Sequence, residues 1–151
     1  LDHFRNEVTV VALYGDVPRA GGSGDEHVDE VLNFARDGDD AHRQTLLERL
    51  GRAHTLCAFN GVRFDVPFIM HALHVPSAEC SEWVRKLYDP FEEYKLLSDR
   101  TISLNKVLEV LGMGAKCGSG ADAVRMARAR EWDALEFYCR QDAVLTHKVA
   151  Q

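Results

Sequence analysis

Between Glu131 and Ala150 the chain repeats apolar side chains at helical spacing, and one residue in the repeat has the wrong polarity. Positions three and four apart share a helix face, so Leu135, Tyr138, Asp142, Leu145 and Val149 make one stripe that should point inward. Asp142 is the misfit in it. An ionised carboxylate on a core-facing surface is costly unless it is paired, hydrogen-bonded or bound to a cation. Two readings are open: an Asp bonded to a neighbouring amide or an Arg, or a metal ligand with the Tyr138 phenol one turn before it. Everything upstream makes most sense as a platform for this residue.

Length and composition suit one domain over 1–151, because 151 residues with 46% hydrophobic and 28% charged side chains are enough for a sizeable soluble core. No apolar run approaches a membrane span, and the first residues lack the succession of a signal peptide. The chain begins at Leu1 rather than Met, which reads as a fragment of a longer reading frame. Cys57, Cys80, Cys117 and Cys139 form no Cys-x-x-Cys pair and read as reduced thiols in an intracellular protein. A formal charge of −6 argues against non-specific coating of nucleic acid, which depends on many Lys and Arg contacts to phosphate. It leaves room for a local acidic site whose divalent cations take the phosphate.

Val8 to Tyr14, closed by Gly15-Asp16, predicts a buried strand and a turn, and Val28 to Phe34 a shorter strand returning antiparallel to it. Asp39 or Asp40 can cap a helix to about Arg52 with Leu46, Leu47 and Leu50 inward. Thr55 to Phe59 predicts a strand that delivers Asn60 to a sheet edge, with Asn60-Gly61 as the turn. Asp65 stands ahead of a helix from Pro67 to His74, where its simplest role is an N-cap. Lys86 to Tyr88 reads as a strand ending at Asp89-Pro90, and Phe91 to Leu97 as an irregular or helical connector. Ser103 can cap a helix carrying Leu104, Val107, Leu108 and Leu111, stopped by Gly112. After a glycine-rich loop to Gly120, a basic helix from Ala121 to Arg130 precedes the last one.

Several motifs compete for a function. Gly112-Met113-Gly114-Ala115-Lys116-Cys117 partly matches a dinucleotide fingerprint, but a helix precedes the glycines where a strand is needed, so the loop reads as a helix-to-helix connector. Lys116 and Ser119 within it are candidate phosphate contacts. His71 and His74 are three apart, a spacing two metal ligands can use, yet no third ligand is near in sequence. Arg125, Arg128 and Arg130 read as a solvated face.

Three features combine: a strand ending at Asn60, the Asn60-x-x-x-Phe64-Asp65 segment, and Tyr138-x-x-x-Asp142 on the final helix. Together they resemble the DEDD family of 3′–5′ exonucleases in the ribonuclease H-like superfamily, in the subgroup with Tyr ahead of the last Asp. From Leu104 to Lys148 the chain is similar to the proofreading exonuclease domains of family B DNA polymerases. The resemblance implies an α/β fold, a mixed sheet flanked by helices, and hydrolysis of phosphodiester bonds at a DNA or RNA 3′ end by two Mg²⁺ or Mn²⁺ ions. It implies that Asp142 binds the water-activating metal, that Tyr138 orients the attacking water, and that Asp65 serves the second metal. Asn60 and Phe64 would shape the pocket for the terminal nucleotides, and a polymerase or other domain would be a partner in the parent chain. The family's first motif, an Asp-x-Glu on the opening strand, is absent: Asp2 and Glu7 do not make it. The expectation is therefore a domain truncated at its first strand, binding Mg²⁺ weakly and with little or no nuclease activity. The alternative is a non-catalytic ribonuclease H-like module that binds nucleic acid or protein.

Overall fold

The computed structural model describes residues 10–37 and 39–151. Asp2, Glu7, Val8 and Thr9 lie outside the described residues, whereas Asp39 and Asp40, expected as caps, are the first two residues of a helix over Asp39–Arg52. In chain order the elements are β1 (Val10–Pro18), β2 (Asp25–Asn33), α1 (Phe34–Asp37), α2 (Asp39–Arg52) and β3 (Leu56–Cys57). They continue as α3 (Asp65–Ala72), α4 (Ser77–Arg85), β4 (Leu87–Tyr88) and α5 (Pro90–Ser98). The last are α6 (Leu104–Val110), α7 (Gly120–Ala129) and α8 (Trp132–Ala150). The fold is α/β, with one antiparallel strand pair, β1-β2, and one parallel pair, β3-β4, among the described residues. These residues fall into two compact units. One holds His54–Ala115 with Leu145–Gln151, the other 10–53 with Lys116–Val144.

In the unit with the hairpin, the register runs from Val10↔Asn33 to Pro18↔Asp25 at the turn end, burying Val17, Val28 and Leu32.

 The turn itself closes with Arg19 N–H donating to the Gly24 carbonyl at 3.0 Å. β1 does not stop at Gly15-Asp16 as the sequence suggests. Gly15 takes a φ of 137°, which a side chain would resist, and the strand continues through it to Pro18. α2 covers the hairpin with Leu46 fully buried, and its outer edge is tied down by Arg49, which donates to Glu26 at 2.6 Å and Glu30 at 2.7 Å. A second cluster joins Met126 of α7 to Leu135 and Tyr138 of α8, with Val10, Ala123, Ala127 and Trp132 packed around it. The stripe expected on the last helix is thus inward at Leu135 and Tyr138.

In the other unit, β3 pairs with β4 through Leu56↔Leu87 and Cys57↔Tyr88. Leu73, Val75, Cys80 and Trp83 are buried around α3 and α4, and α6 buries Leu104 and Leu108 at the helical spacing the sequence predicts. Leu111 leaves that stripe: it is the C-cap residue and is half exposed. α3 starts two residues before the expected Pro67, so Asp65 is its first helical residue and not its N-cap, a position that Phe64 takes without a side-chain bond. α5 is a complete helix rather than an irregular connector. Asp89 caps it, and Pro90 at its first position has no N–H to leave unsatisfied. All four cysteines are free.

Candidate functional site

The stripe on α8 brings its misfit carboxylate to a definite partner. Lys116 Nζ donates to Asp142 Oδ2 at 2.8 Å and to the Tyr138 hydroxyl at 2.9 Å, and it lies 4.9 Å from the centre of the Tyr138 ring. The Lys116 side chain is only 13% exposed and that of Asp142 29%, so the pair is largely shielded from water. The glycine-rich loop delivers the lysine. Cys117 N–H donates to Gln141 Oε1 at 2.8 Å, which fastens the loop to α8 one residue before Asp142. Gly118 holds a left-handed φ of 84° beside the Tyr138 ring, a backbone conformation that side chains rarely adopt. Burial works against the Lys116 charge, but the bonds to Asp142 and Tyr138 outweigh it and hold the amine above its ordinary value. Burial likewise raises the Tyr138 phenol, with Lys116 opposing the shift. Ser119 is committed to the start of α7: its hydroxyl donates to Asp122 Oδ2 at 2.7 Å, and the two residues close a capping box.

One atom of this cluster is unanswered. Asp142 Oδ1 is buried and has no hydrogen-bond partner among the described residues. A buried carboxylate oxygen without a donor is costly, and a hard cation is one group that satisfies it. Mg²⁺ suits such an arrangement because it keeps several waters and takes one or two carboxylates rather than a complete protein cage. Asp142 thus offers a divalent ion one open carboxylate oxygen, with the Lys116 ammonium already on the other. No group of three or more His, Cys, Asp and Glu able to hold a metal is present among the described residues, His71 and His74 included.

The remaining predicted residues lie together in the other unit, on the loop from β3 into α3. Asn60 turns the chain with a left-handed φ of 65°, and its Oδ1 is buried without a partner among the described residues. Gly61 follows because nothing else fits: a Cβ there would lie 2.4 Å from that of Ala58. Phe64 stacks on Phe68 at 5.6 Å, inside its own helix start. Asp65 is exposed in the first turn of α3, where the helix dipole favours a negative charge. Two residues that sequence reasoning did not select act here, one in each unit. Gln141 is the tether of the lysine loop, and nothing in its neighbours marks it. Asp89 accepts from Asn60 N–H at 2.8 Å and from Val62 N–H at 3.1 Å. Its signal was legible, since an Asp directly before a Pro that opens a helix is a capping pattern.

Comparison with known proteins gives one match. The profile described as RNase_H superfamily covers residues 1–151. Neither the curated proteins nor the solved structures contain a match. The α/β fold of the described residues is consistent with that profile, and the chain belongs to the ribonuclease H superfamily.

Proposed function

We propose that this chain is the nuclease module of a metal-dependent 3′–5′ exonuclease, acting on phosphodiester bonds at a DNA or RNA 3′ end with Mg²⁺ or Mn²⁺. Its superfamily points to a nuclease-type function on nucleic acid. The finer reading is carried by the buried, unpartnered Oδ1 of Asp142, one helical turn beyond the Tyr138 phenol. When bound, a divalent ion lowers the pKa of a coordinated water and neutralises charge on phosphoryl oxygens. The protein's own residues supply the rest. Asp142 holds the ion, and Tyr138, whose oxygen accepts from Lys116, keeps its own proton to donate to a water or a phosphate oxygen. Lys116 keeps its charge and offsets that of a phosphate. Asp65 is the second carboxylate of this reading, and Asn60 and Phe64 its contacts to the terminal nucleotides.

Within the 151 residues there is no Asp-x-Glu, so weak ion binding and little or no turnover are the expected behaviour of this chain. A second reading, a non-catalytic module binding nucleic acid or protein, is favoured by Lys116, whose ammonium balances Asp142 without any metal. Mn²⁺ titration followed by paramagnetic broadening in NMR separates the two. The nuclease reading expects broadening centred on Tyr138 and Asp142 that Asp142→Asn removes. Broadening that survives Asp142→Asn, or none at all, leaves the binding module. Robust Mg²⁺-dependent digestion of a 3′-labelled strand, abolished by Asp142→Ala, would instead mean that these residues already contain the full carboxylate set.

A further inference from the structure

Asp89 belongs to neither motif, yet its carboxylate is the most heavily used acceptor around the Asn60–Asp65 loop. It is buried, 6% exposed, at the junction of β4 and α5. Oδ1 accepts from Asn60 N–H at 2.8 Å and from Phe91 N–H at 3.1 Å, and Oδ2 accepts from Val62 N–H at 3.1 Å. Two of those donors lie in the loop, and buried N–H groups left unanswered are costly. The loop passes this constraint directly to the helix start. Phe64 N–H donates back to the Asn60 carbonyl at 3.0 Å and Val66 N–H to the Gly61 carbonyl at 2.9 Å, so fixing residues 60 and 62 fixes where Asp65 enters α3. The first turn of α5 reinforces the clamp through the Arg63–Glu92 ion pair and the edge contact of Phe59 with Phe91 at 5.7 Å.

We propose that Asp89 is a positioning residue for the Asn60–Asp65 loop: by binding the Asn60 and Val62 N–H groups it holds Asn60 and Asp65 in the arrangement in which, on the exonuclease reading, they meet metal and nucleic acid. This inference rests on the exonuclease reading for its purpose and on the three hydrogen bonds for its mechanism. Asp89→Ser separates the anchor from the helix cap, because serine still accepts from Phe91 N–H as a good N-cap but its single short hydroxyl cannot also hold two loop amides. Amide hydrogen exchange is expected to accelerate about tenfold or more at Asn60 and Val62 while Phe91 stays protected. Asp89→Asn, of equal size, is the second variant: its amide nitrogen sets a donor against a donor, and exchange again accelerates at one of the two loop residues. Unchanged exchange at both residues in either folded variant overturns the proposal.

The functional arm uses Mn²⁺ and reads the Asp65 amide. Broadening there in the parent chain that needs about tenfold more Mn²⁺ in Asp89→Ser, with the response at Asp142 retained, supports positioning rather than general loss of structure. Equal broadening at Asp65 in both proteins overturns it. If the parent chain shows no response at Asp65, the metal reading of that residue is what fails, and the exchange result alone then decides whether Asp89 holds the loop.

Discussion

Lys116 and Asp142 are 26 residues apart, and their meeting depends on a loop tether that no local pattern announces. The stripe on α8 made the carboxylate conspicuous because periodicity is a local property. Its partner was out of reach because it depends on a long-range contact, even though Lys116 was already marked as a candidate phosphate contact. Lys116→Met would take from Asp142 its ammonium partner, leaving the carboxylate beside the Tyr138 hydroxyl alone, and should cost about 1–3 kcal/mol in urea unfolding. Adding Asp142→Asn should recover part of that loss, since the charge left stranded is then gone. A double mutant as unstable as the sum of the singles would mean that the two residues do not interact. The phenol gives a spectroscopic counterpart. Burial raises Tyr138 and the bond to Glu93 raises Tyr88, so tyrosinate absorbance should contain two components titrating above the ordinary value near 10, and Tyr138→Phe should remove one of them. The sign for Lys116 follows the same logic: its contribution to stability is complete at neutral pH and is lost only as pH rises through its raised value.

Among the elements, those with strong local signals were the ones read correctly. Ser103 caps α6 by accepting from Lys106 N–H at 3.2 Å, and Leu104 and Leu108 are buried as their spacing requires. The residues from Phe91 to Leu97 alone leave α5 open between helix and irregular chain, and the Asp89-Pro90 cap decides for the helix. β1 was cut short because Gly15-Asp16 has the composition of a turn, whereas the hairpin pairing of its neighbours keeps it extended. The lysine loop ends in a capping box formed by Ser119 and Asp122. Ser119→Ala removes it and should destabilise α7 by about 1 kcal/mol, measurable as faster amide exchange in the first turn of α7. The same change tests the other role considered for this serine. Its hydroxyl is already engaged by Asp122, so Ser119→Ala should leave affinity for nucleic acid unchanged apart from the stability loss.

At the scale of the whole molecule, charge limits how nucleic acid can be held. The sequence carries 24 acidic and 18 basic side chains, a net of −6, and many of the arginines are tied to carboxylates. Arg49 and Arg52 face Glu26, Arg36 faces Asp133 and Glu136, Arg125 faces Glu131, and Arg140 donates to Asp29 at 2.7 Å. Such a surface cannot gather affinity from a long track of phosphate contacts, each of which would contribute about −0.7 to the slope of log K against log salt for a single strand. On the proposed reading, binding works through a few contacts and a bridging cation. Anisotropy titrations with a labelled single strand should therefore give a slope of about −1 to −2. Millimolar Mg²⁺ at constant ionic strength should strengthen binding, and Asp142→Asn should abolish that gain. A slope of about −4 or steeper that Mg²⁺ does not alter would put the contact on a basic face such as Arg125, Arg128 and Arg130 and would remove the acidic site from the account of binding.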